Sequence, residues 1–220
     1  NIPVTQTVMG YSTMKKDHSH FVGPIGGLGG KAANNLAKET DLAICIGTKL
    51  ADFTTGSWAN FENPEFKLVS INIARHDANK HLAEAVIGDA KVTLTELSNA
   101  IGDWKSSDSW HKKSQVELKS WNEYVDKESG PTNQELPSYA HAVGAIYRNS
   151  DPTDIAVTAA GGLVGEVVQV WRPKELNTHE TEWGFSCMSY EISGALGIKM
   201  ANPDKDVLAL VGDGSYLLNN

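Results

Sequence analysis

Two glycine-broken strand ends of this chain could face a phosphorylated ligand, and a third stretch sets small residues before a helix. An apolar run over residues 207–211 breaks onto Gly212-Asp213-Gly214-Ser215, another over residues 154–160 breaks onto Gly161-Gly162, and Ser186-Cys187-Met188-Ser189 leads into Tyr190-Glu191-Ile192. Glycines let a backbone come close to a phosphate, and an acidic oxygen beside them suits a hard cation such as Mg²⁺, which bridges phosphates to one or two carboxylates. Taken alone, Gly-Asp-Gly is also an ordinary turn, and Met188 among small residues is also an ordinary core side chain. A fourth cluster, Gly23-Pro24-Ile25-Gly26-Gly27-Leu28-Gly29-Gly30, precedes a stretch of helical composition, but its spacing departs from the G-x-G-x-x-G fingerprint. Two readings stand for it: nucleotide contact, or a structural loop that needs tight backbone conformations. The seven histidines are scattered without metal-ligand spacing, and only His179, near the third stretch, is a candidate for substrate contact. Glu166 and Glu182 are candidates for touching substrate hydroxyls, whereas Glu191 reads as a surface residue.

These stretches need elements to hold them. A buried parallel strand reads as a near-continuous apolar run, and the crevice past its carboxyl end is where open α/β sheets bind ligands. Strands are expected over residues 2–8, 41–47, 67–73 and 86–90, with an amphipathic helix over 91–101 carrying Val92, Leu94, Leu97 and Ile101. This alternation implies an α/β domain with a parallel, helix-covered sheet over residues 1–102. Residues 103–135 turn polar around Trp104, Trp110, Trp121 and Tyr124 and read as a linker with a polar helix over 114–127, ended at Gly130-Pro131. A second alternation fills residues 136–220: a helix over 137–148, a strand over 154–160, a helix after the small residues at 186–189, and a strand over 208–211. It reads as a second α/β unit.

The 220 residues are 40% hydrophobic, enough for a real core, and carry a formal charge of −8, which argues against nucleic-acid and membrane-surface partners. Small molecules and other subunits are the expected partners. Cys45 and Cys187 suggest neither a disulfide framework nor a paired-cysteine metal site, which fits a reducing cytoplasm. No stretch approaches the roughly 20 apolar residues of a membrane span. The chain opens in an apolar strand without Met and stops one turn into a helix, so an internal piece of a longer protein is expected.

Together these segments resemble the thiamine-diphosphate enzymes of the acetolactate synthase and pyruvate oxidase kind. The resemblance makes residues 1–102 a Rossmann-like central domain and residues 136–220 the first part of a second, doubly wound α/β domain that binds the diphosphate. Asp52-Phe53-Thr54-Thr55-Gly56-Ser57-Trp58, Asn72-Ile73-Ala74-Arg75-His76, Ala159-Ala160-Gly161-Gly162-Leu163 and Gly184-Phe185-Ser186-Cys187-Met188-Ser189-Tyr190-Glu191 are similar to the trihydroxycyclohexanedione hydrolases of myo-inositol breakdown. The resemblance implies thiamine diphosphate and Mg²⁺ as cofactors and a homodimeric or homotetrameric parent protein. It implies that Asp213 ligates the metal and that the backbones of Gly161, Gly162, Gly214 and Ser215 meet the diphosphate. It further implies that the Ser186 carbonyl and the Met188 amide hold the aminopyrimidine, while the Met188 side chain props the cofactor. The family's activating Glu and its second metal-ligating residue, an Asn, match no position here, so no catalytic residue is assigned and the chain by itself is expected to be inactive. The alternatives are an acetolactate-synthase-like lyase or transferase acting on 2-keto acids, and a non-catalytic nucleotide-binding or oligomerisation module.

Overall fold

A computed structural model of the chain describes residues 1–219, and Asn220 lies outside the described residues. Strand β1 (Val4–Gln6) pairs in parallel with β2 (Phe21–Pro24). The apolar run expected over residues 2–8 is shortened because Thr7 Oγ1 accepts from the Gly10 N–H at 3.1 Å and begins a turn. Helix α1 (Lys31–Glu39) buries Ala32, Ala33, Leu36 and Ala37, a stripe at helical spacing. Strand β3 (Leu42–Ile46), the short helix α2 (Asp52–Thr55), strand β4 (Lys67–Asn72), the short helix α3 (Arg75–Ala78) and strand β5 (Glu84–Ile87) follow. They form a second parallel sheet in the order β3-β4-β5. Strand β5 lies two residues earlier than expected, because Asp89 leaves the strand to cap helix α4 (Ala90–Ile101), accepting from the Val92 N–H at 3.0 Å.

The first alternation is therefore parallel, as its sequence implies, but its strands divide between two sheets. The expected helical cover is thin: α4 has no buried residue, and Val92, Leu94 and Ile101 are all exposed.

Helix α5 (Asp108–Glu128) starts six residues before the expected polar helix, because Ser107 caps it by accepting from the Trp110 N–H at 3.2 Å. It lies on α1, where Asn35 Nδ2 donates to Glu117 Oε2 at 2.9 Å, and its Trp121 and Tyr124 rings stack on each other. Helix α6 (Tyr139–Asn149) opens with a capping box in which His141 takes the place usually held by Glu, returning Nδ1 to the Ser138 N–H at 3.2 Å.

The remaining elements are β6 (Ile155–Thr158), α7 (Gly162–Val170), β7 (His179–Thr181), α8 (Tyr190–Ala201), β8 (Val207–Ala209) and α9 (Asp213–Leu218). Their strands form a parallel sheet in the order β7-β6-β8, with Ala156 opposite both His179 and Leu208. Strand β7 has no apolar run to announce it; it exists by pairing with the fully buried β6. Val125, Val143, Tyr147, Ala156, Val167, Val170, Trp171 and Leu210 form one core, so α5 and α6 close over this sheet. Each buried valine there contributes about 1.5–3 kcal/mol of transfer free energy. A second cluster joins Val8 to Val164 and Val168, with Leu28 and Trp183 packed against it. Among the described residues no helix is long and apolar enough to cross a membrane.

Candidate functional site

Because β7, β6 and β8 run parallel, their carboxyl ends lie on one edge. The central strand leads through Ala159-Ala160 to Gly161, the N-cap of α7, at φ 86° and ψ −169°, a region essentially confined to glycine. Its neighbour β8 leads to Gly212, the N-cap of α9, and the Leu210 N–H donating to the Val157 carbonyl at 2.9 Å keeps the two chain ends side by side. A Cβ placed on Gly161, Gly162 or Gly212 would meet no heavy atom within 4 Å. Two helix starts, whose first N–H groups have no intrahelical partner, thus stand behind open, glycine-fronted space.

Within the glycine cluster at 23–30, Gly26, Gly29 and Gly30 give the opposite result, whereas Gly23 faces nothing within 4 Å. A Cβ on Gly26 would lie 2.1 Å from the Phe53 carbonyl oxygen, and one on Gly30 would lie 2.7 Å from Trp121 Nε1. The Asn34 side chain closes the turn, accepting from the Gly26 N–H at 2.9 Å and donating to its carbonyl at 3.0 Å. Gly26 and Gly30 serve close packing and a tight turn, which supports the structural reading of that loop.

The edge strand β7 leads into a loop, residues 182–189, shaped by two hydrogen-bonded anchors. Glu182 Oε1 accepts from the Phe185 N–H at 2.8 Å, and Oε2 accepts from the Cys187 N–H at 2.6 Å. The Cys187 amide, then the Phe185 amide, hold this carboxyl below its ordinary pKa. At the other end, Ser189 Oγ donates to the Ser215 carbonyl at 2.7 Å in a buried bond that ties the loop to α9. Between the anchors, Ser186 at φ 54° and Ser189 at φ 79° hold left-handed conformations that disfavour side-chain-bearing residues. Met188 is half exposed, and its Cε would lie 3.5 Å from a Cβ on Gly214. Neither the Ser186 carbonyl nor the Met188 N–H makes a hydrogen bond within the protein among the described residues. The structure therefore brings Met188, Gly214 and Ser215 into one neighbourhood, with Gly161 and Gly162 at the adjoining strand end.

Asp213 is exposed; one carboxylate oxygen accepts from the Gly214 N–H at 2.9 Å, and the other has no protein partner among the described residues. No group of three or more His, Cys, Asp or Glu side chains that could hold a metal occurs among the described residues. A hard cation held here would have to complete its shell with phosphate oxygens, water or ligands from elsewhere, a common arrangement for Mg²⁺. The donor set suits an anion beside such a cation, with Asp213 as one ligand.

Other candidates are placed differently. His179 is a core residue, 6% exposed, with its ring edge-on to Tyr11 and Nε2 3.4 Å from Thr158 Oγ1, and burial pushes its pKa down to about 4. It is not disposed to touch a ligand. Glu182 has both oxygens engaged by its own loop, which leaves little for a substrate hydroxyl. Glu191, expected at the surface, is 1% exposed, and its Oε2 is buried without a partner among the described residues. Glu166 sits half-buried on α7. Neither the Glu182 anchor nor the edge-on contact of Phe53 with Trp183, ring centres 5.1 Å apart, was legible in the sequence. The spacing of Glu182, three residues before Phe185 and five before Cys187, was the available signal for the first.

Two family models match the chain: the thiamine pyrophosphate enzyme central domain over residues 1–97, and the thiamine pyrophosphate enzyme C-terminal TPP binding domain over residues 159–220. The chain is 35% identical to a 3D-(3,5/4)-trihydroxycyclohexane-1,2-dione hydrolase of Geobacillus thermodenitrificans, over 99% of its own length and 37% of that protein's. Proteins of the same name match at 34% identity from Clostridium perfringens and at 38% from Bacillus anthracis. These alignments cover 99% and 98% of this chain and 38% and 37% of those proteins. The chain thus spans little more than a third of the length of these relatives.

Proposed function

The chain belongs to the thiamine pyrophosphate enzymes, and from that premise we propose that its glycine-fronted sheet edge seats thiamine diphosphate and Mg²⁺. We propose further that the full-length protein hydrolyses a carbon–carbon bond of a cyclic 1,2-dione of the trihydroxycyclohexane type, in the breakdown of myo-inositol. The observation that carries the reading is the parallel order β7-β6-β8, which sets Gly161-Gly162, the Ser186–Met188 loop and Gly212-Asp213 on one edge. The relatives' name supplies the substrate class.

When bound, the cofactor supplies an electron sink for cleavage next to a carbonyl. The protein's part is binding and orientation. The backbone around Gly161-Gly162 and Gly214-Ser215 would receive the diphosphate, with the Gly214 N–H released from its bond to Asp213, and Asp213 would ligate the metal. The Ser186 carbonyl and Met188 N–H, without protein partners among the described residues, would hold the aminopyrimidine, and the Met188 side chain would support the ring system. No residue of this chain is assigned a catalytic role. In this reading residues 1–102 form the central domain, 103–135 a linker and 136–220 part of the cofactor-binding domain, within a cytoplasmic homo-oligomer without nucleic-acid or membrane partners.

The test is to assay purified full-length protein for ring opening of 3D-(3,5/4)-trihydroxycyclohexane-1,2-dione with and without thiamine diphosphate and Mg²⁺. Opening that depends on both cofactors supports the reading. Turnover of 2-keto acids in place of the cyclic dione transfers the protein to the lyase and transferase branch, and cofactor-independent opening overturns the proposal.

A further inference from the structure

The loop over residues 182–189 has little regular structure to hold it. Strand β7 before it is three residues long and pairs on one side only, and helix α8 after it begins at Tyr190, with Ser189 at its N-cap making no side-chain cap. Two of its residues, Ser186 and Ser189, adopt positive φ, which costs of the order of 1 kcal/mol or more for a non-glycine residue and persists only where surroundings impose it. The imposed restraint is visible. Both oxygens of Glu182 accept backbone N–H groups from inside the loop, at Phe185 and Cys187, the residues that flank Ser186. An ionised carboxylate bonding two amides is among the stronger restraints available to a loop.

We propose that Glu182 is a positioning residue for the cofactor: by bracketing Ser186 between two anchored amides, its carboxylate fixes the direction of the Ser186 carbonyl and the Met188 N–H. This rests on the reading that those two groups receive the aminopyrimidine. Glu182 itself touches neither cofactor nor substrate. Its side chain is partly exposed, yet its oxygens are turned back onto the loop, so its effect reaches a ligand only through the backbone it holds. Glu182→Gln keeps one acceptor and replaces the other with an N–H₂ that cannot accept, which breaks one anchor. Glu182→Ala breaks both. Glu182→Asp keeps the charge on a shorter arm and restores the anchors in part.

The experiment uses the full-length protein and its Glu182→Gln, Glu182→Ala and Glu182→Asp variants, with thiamine diphosphate and Mg²⁺ as probes. Amide hydrogen exchange is followed over residues 184–189, cofactor affinity is measured by calorimetry, and turnover is measured against cofactor concentration. The expected result is faster exchange confined to 184–189 and a cofactor dissociation constant raised at least about ten-fold in the Gln variant, more in Ala and less in Asp. The kcat is expected to recover at saturating cofactor, since the loop is loosened and not removed. A merely structural Glu182 would instead lower kcat and thermal stability together without this split. Unchanged exchange over 184–189 in a folded Gln variant, or cofactor affinity within two-fold of wild type, overturns the proposal. Wild-type protein that shows exchange protection at 184–189 but no cofactor binding overturns the proposed function, and with it this use of the loop.

Discussion

Gly162→Ala separates the seat of a ligand from the needs of the fold. Gly162 is the first residue of α7, in helical conformation, and a Cβ there meets nothing within 4 Å. The change therefore introduces no clash or positive-φ strain, and it replaces a poor helix former with the best one. On helix propensity alone the ligand-free protein gains up to about 1 kcal/mol, less at a helix start than in its interior. The new methyl projects into the space proposed for the diphosphate. Forcing a methyl into a well-packed contact costs about 1–3 kcal/mol, which is about ten-fold to a hundred-fold in the dissociation constant. The two effects have opposite signs, and this gives the test its power. Calorimetric titration of full-length Gly162→Ala with thiamine diphosphate and Mg²⁺ is expected to show weakened binding, while thermal unfolding without cofactor shows a midpoint no lower than wild type. Wild-type affinity in a variant of undiminished stability would refute the assignment of this glycine front to the diphosphate. Loss of both stability and binding would show instead that the open space is used by the fold.

Three further outcomes are expected. Asp213→Asn preserves the oxygen that accepts from Gly214 but removes the charge, so Mg²⁺-dependent cofactor affinity should fall by about ten- to a hundred-fold; an unchanged Mg²⁺ titration would remove Asp213 from the metal shell. His179, buried neutral with its pKa pushed down to about 4, binds its proton less readily folded than unfolded. Stability should therefore decline as pH falls from about 6.5 to about 4, by a total of about 3 kcal/mol, and level off below; unfolding curves of His179→Gln should lack that slope if the variant folds. Gly26→Ala sets a Cβ 2.1 Å from the Phe53 carbonyl oxygen at φ 106°, and should cost about 3 kcal/mol or more in unfolding experiments. A Gly26→Ala protein of normal stability that lost nucleotide affinity would reinstate the ligand-binding reading of that loop.

What the sequence disclosed and what it withheld follow from where the physical information lies. Buried parallel strands such as β4 and β6 announce themselves as apolar runs, so the α/β class and the strand ends at Gly161 and Gly212 were legible. Strand β7, His179-Glu180-Thr181, was not: its identity comes from pairing with β6, a non-local property, and its polar residues mask it. Helix starts moved where a cap outweighed hydrophobic periodicity, with Asp89 shortening a strand and Ser107 lengthening a helix. The two glycine clusters were nearly equivalent as text. They differ in what faces them, for Gly26 and Gly30 meet Phe53 and Trp121 from distant parts of the chain while Gly161 and Gly162 face open space. Composition does not record that difference. Glu191 was misplaced at the surface for the same reason, since charge predicts exposure only until tertiary packing decides otherwise.

The two anchors of the 182–189 loop connect recognition of the ligand's two ends. Glu182 orders the segment that faces the aminopyrimidine in the proposed reading, and Ser189 ties that segment to the Ser215 carbonyl, inside the turn proposed for the diphosphate and metal. A buried hydrogen bond thus joins Ser189 to Ser215, and the Met188 side chain ends close to the space a side chain on Gly214 would fill. The Ser189–Ser215 bond thus holds the neighbours of Met188 and Asp213, 25 residues apart in sequence, at one place in the fold.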